Sequence, residues 1–205
     1  MFLADILFWA LSFVTFSVIE SEDSRAEDPE QGLLLERARK AEQAALGVLY
    51  DQYVERIYSY VYHRVGQAEL AEDLTGQVFA RMLEVIHEGR AWHTSFSGWL
   101  YRIAHNLIVD HYRRHSRTDF VELDEGFSAS SGEDDPFRSV EARLERERLR
   151  AALAQLTDEQ AQVITLRFLN ELSIADVAAS MDKTEGAIKA LQYRAVLALR
   201  RVMQP

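Results

Sequence analysis

The sequence predicts an all-α protein built from two small helical domains. Apolar residues recur at helical spacing over most of the chain, which contains only 9 Gly and 3 Pro in 205 residues. Residues 119–143 lack this periodicity, and so long a connector is unusual inside a compact domain. We therefore predict an apolar segment with an acidic tail over residues 1–32, a helical domain over 33–118, a flexible acidic linker over 119–143 and a second helical domain over 144–205.

Charge is distributed unevenly along the chain. The net charge of -10 argues against nucleic-acid binding only if it is spread evenly. Residues 20–36 carry seven acidic side chains and one basic one, and residues 119–136 carry seven acidic side chains and no basic one. The other 170 residues therefore have a net charge of +3. The chain has no cysteine, which excludes disulfides and thiolate metal sites and fits the cytoplasmic location that we expect.

The N-terminal segment leaves three interpretations open. Fourteen of the eighteen residues from Phe2 to Ile19 are apolar, which is barely enough to span a bilayer. No Lys or Arg precedes this run, so a cleaved secretory signal is not expected. Residues 2–19 are a membrane tether, a helix that docks on a partner, or an upstream extension from a wrongly assigned start codon.

Four helices are predicted in the first domain. The first lies near Leu33–Leu46, and the second carries the apolar positions from Leu49 to Val61 and ends at Gly66. The third runs at helical spacing from Leu70 to Ile86. Gly89, Ser95 and Gly98 then mark a loop, and the fourth helix begins around Ser97.

The fourth helix ends in the densest positive patch of the chain, the sequence DHYRRHSR over residues 110–117. Several aromatic residues lie near it in the sequence, namely Trp92, Phe96, Trp99, Tyr101 and Tyr112. Arginine beside exposed rings suits single-stranded nucleic acid, because phosphates bind the cations and unstacked bases bind the rings. These residues also have alternative roles that need no ligand. In these alternatives Trp99 would pack in the core, Tyr112 would cover the helix end, and the arginines would interact with the helix dipole.

The second domain is predicted to contain a helix-turn-helix. Thr157 with Gln160, and Ser173 with Asp176, have the spacing of capping boxes, and Thr184 caps the final helix after a sharp turn. The second helix of such a motif can enter the major groove of DNA. The alternative is an αα-hairpin that only packs a core. The polar residues predicted off the apolar stripe of the final helix, and so available to DNA, are Thr184, Glu185, Lys189, Gln192, Tyr193 and Arg194.

A metal-dependent enzyme is a competing interpretation of the histidines. His111 and His115 are four residues apart, but His105 lies nearly opposite His111 on a helix. Two histidines are too few for a metal site, and no motif of strong spacing is present. We therefore expect no catalytic residue, no metal and no cofactor.

Three motifs together resemble extracytoplasmic-function (ECF) sigma factors of the sigma-70 family. They are AEDLTGQVF (Ala71–Phe79), FSGWLYRIAHNLIVDHYRR (Phe96–Arg114), and LTDEQAQVITLRF with LSIADVAASMDKTEGAIKALQYRAVLALR (156–200). The resemblance covers roughly residues 33–203. It implies a region 2 bundle followed by a region 4 helix-turn-helix, and a role in promoter recognition and transcription initiation. The remaining alternative is a helix-turn-helix regulator that binds duplex DNA without acting as a sigma subunit.

The resemblance also implies partners and site residues. The implied partners are promoter DNA and core RNA polymerase, which would be bound through its clamp and flap regions. An anti-sigma protein is a further partner that members of this family commonly have. Asp73, Leu74 and Gln77 would bind the polymerase clamp. The residues that would hold the melted strand of the -10 element are Trp99, Arg102, Asn106, Asp110, Arg113, Arg114 and Arg117. Those that would read the -35 element in the major groove are Thr184, Glu185, Gly186, Lys189, Gln192, Tyr193 and Arg194.

The sequence departs from the family pattern in three places, one of which is the apolar segment over residues 2–19, which has no family counterpart. Gly76 stands where Gln is usual, and Gln77 stands where Glu is usual. A glycine inside a helix costs about 1 kcal/mol relative to alanine, so we expect a looser polymerase contact there. Asp182 occupies a turn position where Gly is usual. Because Asp tolerates the left-handed conformation better than most residues, we expect the turn to survive.

Overall fold

The computed structural model describes residues 29–115 and 148–203, and within these ranges the secondary structure is helical, without strands. The predicted linker, the apolar segment over residues 2–19 and Arg117 lie outside these ranges. The described chain divides into two compact units, one formed by helices between residues 30 and 115 and the other by most of the residues from 148 onward. No helix in the described ranges is both long enough and apolar enough to cross a bilayer.

The first unit contains four helices. They are α1 (Pro29–Arg39), α2 (Gln43–Val65), α3 (Ala68–His87) and α4 (Phe96–His115). The last three pack against one another pairwise. Each supplies an apolar stripe to a common core, in which Leu49 and Ile57 of α2, Val78 of α3 and Leu100 and Ile108 of α4 are fully buried.

The break between the first two helices differs from the prediction. We expected one helix over Leu33–Leu46, but α1 ends at Arg39 and α2 begins at Gln43. Ala41 adopts a left-handed φ of 57°, and its amide donates to the carbonyl oxygen of Ala38 at 2.9 Å. The break escaped the sequence analysis because no Gly or Pro marks it. The predicted end at Gly66 is confirmed, since that residue has a φ of 77°.

The second unit carries the predicted helix-turn-helix. A helical segment over residues 148–153 is α5, and α6 (Asp158–Ile164) continues into a π-helical turn over Thr165–Leu169. Two further helices follow, α7 (Ile174–Met181) and α8 (Glu185–Met203). Asp182 lies between them with a left-handed φ of 52°, so the turn forms without a glycine, as expected.

Side-chain caps set the starts of these helices. Thr157 and Gln160 form the predicted capping box, with reciprocal hydrogen bonds of 3.3 and 3.2 Å. Ser173 accepts from the Asp176 amide at 3.0 Å, while its hydroxyl donates to the Asp176 carboxylate at 2.8 Å. Thr184 accepts from the Ala187 amide at 3.2 Å. The caps fix where the two helices of the motif begin.

Candidate nucleic-acid interfaces

One face of α4 is polar and accessible. Residues Arg102, Asn106, Val109 and Arg113 follow one another along this face at intervals of three or four. Asn106 and Arg113 are exposed, and Val109 is 41% exposed, whereas Arg102 is half-buried. This face therefore combines cationic, amide and apolar groups that solvent can reach.

Asp110 organises the arginines at the end of α4. Its carboxylate forms an ion pair with the Arg113 guanidinium at 3.0 Å, and its backbone oxygen accepts from Arg114 Nε at 3.2 Å. Both arginines are exposed. They lie in the last turn of the helix, where the dipole also favours positive charge. The end of α4 consequently presents two oriented guanidinium groups.

Most of the aromatic residues near this patch are core residues, so they do not offer exposed rings to nucleic acid. Trp92, Phe96 and Tyr101 are at most 3% exposed. The loop before α4 folds back so that the Trp92 ring packs edge to face on Phe96, with centroids 4.8 Å apart, and the Arg39 guanidinium lies 4.9 Å from the Trp92 ring centroid. Proximity in sequence therefore did not produce exposed rings, because Trp92 and Phe96 pack on each other while most of the loop stays exposed.

Two aromatic residues keep some accessibility. Trp99 is half-buried against Trp92 and Phe96, at centroid distances of 5.6 and 6.0 Å, so its packing role is present and part of its surface remains accessible. Tyr112 is 48% exposed, and its hydroxyl donates to the Arg64 carbonyl oxygen at 3.2 Å. Tyr112 thus ties the end of α4 to α2 while showing one side of its ring to solvent.

The histidines do not form a metal site in the described residues. His111 and His115 stack with centroids 4.0 Å apart, and no group of three potential ligands occurs within residues 29–115 or 148–203. Burial, followed by the neighbouring His115 and Arg114, lowers the pKa of His111, whereas Asp73 opposes the shift. The two stacked imidazoles lie on successive turns of α4, and His115 is exposed.

The predicted polymerase-binding residues on α3 separate into two classes. Asp73 and Gln77 are exposed and joined by a hydrogen bond of 2.7 Å from Gln77 Nε2 to the Asp73 carboxylate. Leu74 is only 1% exposed, so the expectation that its side chain is available to a partner is wrong. It lies on the stripe with Ala71 and Val78 that faces the core.

A groove that was not predicted from the sequence lies between α2 and α3. Its volume is about 560 Å³. Its apolar walls include aromatic rings, its rim carries two carboxylates, and Gly76 leaves one wall without a side chain. The lining residues are Tyr50, Val54, Glu55, Tyr58, Glu72, Thr75, Gly76 and Phe79. Burial raises the pKa of the Tyr58 hydroxyl, and Glu72 adds to this effect.

The DNA-facing residues predicted on α8 are exposed with one exception. Thr184, Glu185, Gly186, Lys189, Tyr193 and Arg194 are all exposed. Gln192 is only 7% exposed, so the expectation that it lies off the buried stripe is wrong. On a helix its position falls among Ile188, Leu191 and Ala195, which all face the core.

Arg167 provides the hydrogen-bond donor for the buried side-chain amide of Gln192. It was not among the residues predicted from the sequence. Its Nε donates to Gln192 Oε1 at 3.2 Å, and its terminal nitrogen donates to the carbonyl oxygen of Leu172. Burial lowers the pKa of the Arg167 guanidinium. The available signal was a single cation inside the apolar run VITLRFL, over residues 163–169.

Comparison with known proteins identifies the two units. Residues 49–118 match the family Sigma-70 region 2, and residues 152–201 match Sigma-70, region 4. The ECF RNA polymerase sigma factor BldN of Streptomyces coelicolor is 42% identical over 174 residues, which cover 83% of this chain and 64% of that protein. The RNA polymerase sigma factor YlaC of Bacillus subtilis is 31% identical over 157 residues, which cover 76% of this chain and 90% of YlaC.

Solved structures agree on the fold. CnrH, determined in complex with the cytosolic domain of CnrY, superposes with a TM-score of 0.63 at 20% identity, covering 83% of this chain and 95% of CnrH. The sigma factor RpoE of Bartonella quintana, in complex with the anti-sigma factor NepR, gives a TM-score of 0.57 at 19% identity, covering 77% of this chain and 95% of the compared chain. From the two matched regions and the relatives together, the chain belongs to the sigma-70 family, in the ECF group of RNA polymerase sigma factors.

Proposed function

We propose that this chain directs core RNA polymerase to promoters by binding two parts of one promoter. It would bind the -35 element as paired duplex and the -10 element as a melted single strand. The observation that carries the proposal is the presence of two different polar surfaces on separate compact units. One surface is the exposed start of α8, which Thr184 caps after the sharp turn. The other is the face of α4 that carries Arg113. The chain would supply recognition and leave the chemistry of RNA synthesis to polymerase.

The start of α8 suits a paired DNA element. Its first turns expose Lys189, Tyr193 and Arg194, and the positive end of the helix dipole lies at Thr184. A helix of this width fits the major groove, where each base pair shows a distinct pattern of donors and acceptors. We assign these residues, with Glu185 and Gly186, to the -35 element.

The exposed face of α4 suits an opened strand. Arg113 and Arg114 can bind phosphates, Asn106 offers an amide for base edges, and the accessible side of Tyr112 offers a surface for stacking. A melted strand needs such contacts, because unpaired bases are held by stacking and by pockets. We assign this face, with Arg102, Asp110 and the accessible part of Trp99, to the -10 element.

The polymerase contact is proposed on α3. Asp73 and Gln77 are exposed on α3, and Glu55 and Glu72 line the groove between α2 and α3. A basic helix of the polymerase clamp would place cations opposite these carboxylates and an apolar side chain between them. An anti-sigma protein is a further partner that we propose, to be sought by co-purification from cells.

Run-off transcription with purified core polymerase tests the proposal. The sigma interpretation predicts promoter-dependent transcripts that require both the chain and the core enzyme. A helix-turn-helix regulator would instead bind duplex DNA alone and give no transcripts with core polymerase. Duplex binding without transcription would therefore contradict the proposed function.

A further inference from the structure

Gln192 occupies a position where an apolar side chain would be expected. It lies among Ile188, Leu191 and Ala195 on the buried side of α8 and is 7% exposed. Burying an amide costs free energy unless it is hydrogen-bonded. The Arg167 side chain supplies that bond, with Nε 3.2 Å from Gln192 Oε1.

Arg167 is itself held in one orientation. It lies in the π-helical turn Thr165–Leu169, and its terminal nitrogen donates to the carbonyl oxygen of Leu172, just before α7. Because the guanidinium is planar, its two hydrogen bonds fix the direction of both donors. The same side chain therefore joins the π-helical turn, the start of the helix-turn-helix and the middle of α8.

We infer that Arg167 is a positioning residue that, through Gln192, fixes the rotation of α8 about its own axis and so determines which side chains reach the bases. Apolar contacts tolerate small rotations, whereas the hydrogen bond between half-buried Arg167 and buried Gln192 depends on the direction of both groups. Tyr193 follows Gln192 directly and Lys189 lies three residues before it, so any rotation of the helix moves both. The inference rests on the proposed assignment of α8 to the -35 element.

The test replaces the pair by apolar residues of similar volume, Arg167→Met with Gln192→Leu. Such replacements often leave stability unchanged or raise it, so we expect an unchanged or higher melting temperature for the full chain. The -35 sequence is first selected from a random library with wild-type holoenzyme. The measured quantity is the ratio of open complex formed on this promoter to that formed on single-base -35 variants.

We expect this ratio to fall about five-fold or more in the double variant, since one base contact is worth roughly that factor or more. A loss of active protein lowers both measurements equally and cancels in the ratio, so a purely structural role would leave it unchanged. Arg201→Met is the matched control, because it makes the same change at an exposed arginine of α8, the helix that carries Gln192. Its ratio should equal that of the wild type.

A conservative variant keeps the test decisive if the double variant does not fold. Arg167→Lys retains the charge but loses the planar fork, and we expect a smaller fall in the ratio. An unchanged ratio in whichever of these variants folds would overturn the inference. If wild-type holoenzyme itself selects no -35 sequence, the assignment of α8 fails, and the inference fails with it.

Discussion

The ring of Tyr50 packs edge to face on Phe79, with centroids 4.8 Å apart, and the pair forms one wall of the groove beside Gly76. Phe79 is 5% exposed, whereas Tyr50 is 46% exposed. The pair therefore connects the buried core, through Phe79, to an apolar surface that is accessible to solvent at Tyr50. The proposed polymerase-binding residues Asp73 and Gln77 add exposed polar groups on α3.

Gly76→Ala should stabilise the first unit. An added Cβ meets no atom within 4 Å, and alanine is favoured over glycine inside a helix by about 1 kcal/mol. The free energy of unfolding, measured by urea denaturation, should rise by about that amount. Gly66→Ala is the matched control, because its left-handed φ of 77° should make the same change destabilising. A destabilised Gly76→Ala variant would contradict the geometry of α3.

Asp73→Ala and Leu74→Ala should separate partner binding from folding. Asp73 is exposed, so its replacement should weaken binding to core polymerase while changing stability by less than about 0.5 kcal/mol. Leu74 is buried, so its replacement should cost about 2–5 kcal/mol of stability. Affinity for core polymerase and thermal unfolding are measured on both variants. Equal core affinity in Asp73→Ala and wild type would remove Asp73 from the proposed interface.

Arg113→Ala combined with Arg114→Ala should weaken open-complex formation and leave polymerase binding nearly intact. Both arginines are exposed at the end of α4, where we propose that they bind phosphates of the melted strand. Open complexes are counted by their resistance to a heparin challenge, and core binding is measured separately. Arg81→Ala is the control, because it removes an exposed arginine from α3. Loss of core binding in the double variant would show that the patch faces polymerase.

Lys189→Ala should lower use of the -35 element. If Lys189 binds a phosphate, its loss should reduce the slope of log affinity against log salt concentration by about one contact. The measurement is a salt titration of holoenzyme binding to promoter DNA. A slope equal to that of the wild type would place Lys189 away from the phosphates.

Local signals predicted those helix caps and ends that a capping side chain or a glycine marks. The capping box of Thr157 with Gln160 and the helix end at Gly66 depend on side chains and φ angles within a few residues. The left-handed turn at Asp182 was expected for the same reason. Hence the helix-turn-helix could be recognised before its packing was known.

Tertiary contacts account for the wrong expectations. Gln192 is buried among Ile188, Leu191 and Ala195, and the partner of its amide, Arg167, lies twenty-five residues earlier in the chain. Trp92 is buried because its loop folds back onto Phe96. The exposure of these residues therefore needed the structure, as did the helix break after Arg39 and the π-helical turn Thr165–Leu169.

The central claim is that the chain binds one promoter element as duplex and another as a melted strand. Permanganate footprinting of promoter DNA tests this claim most directly, because permanganate modifies unpaired thymines. With core polymerase and this chain together, we predict reactive thymines in the -10 element and unreactive, paired DNA at the -35 element. The Arg113→Ala, Arg114→Ala double variant should reduce the reactivity in the -10 element. Duplex DNA that stays unreactive throughout, on every promoter that supports binding, would contradict the account.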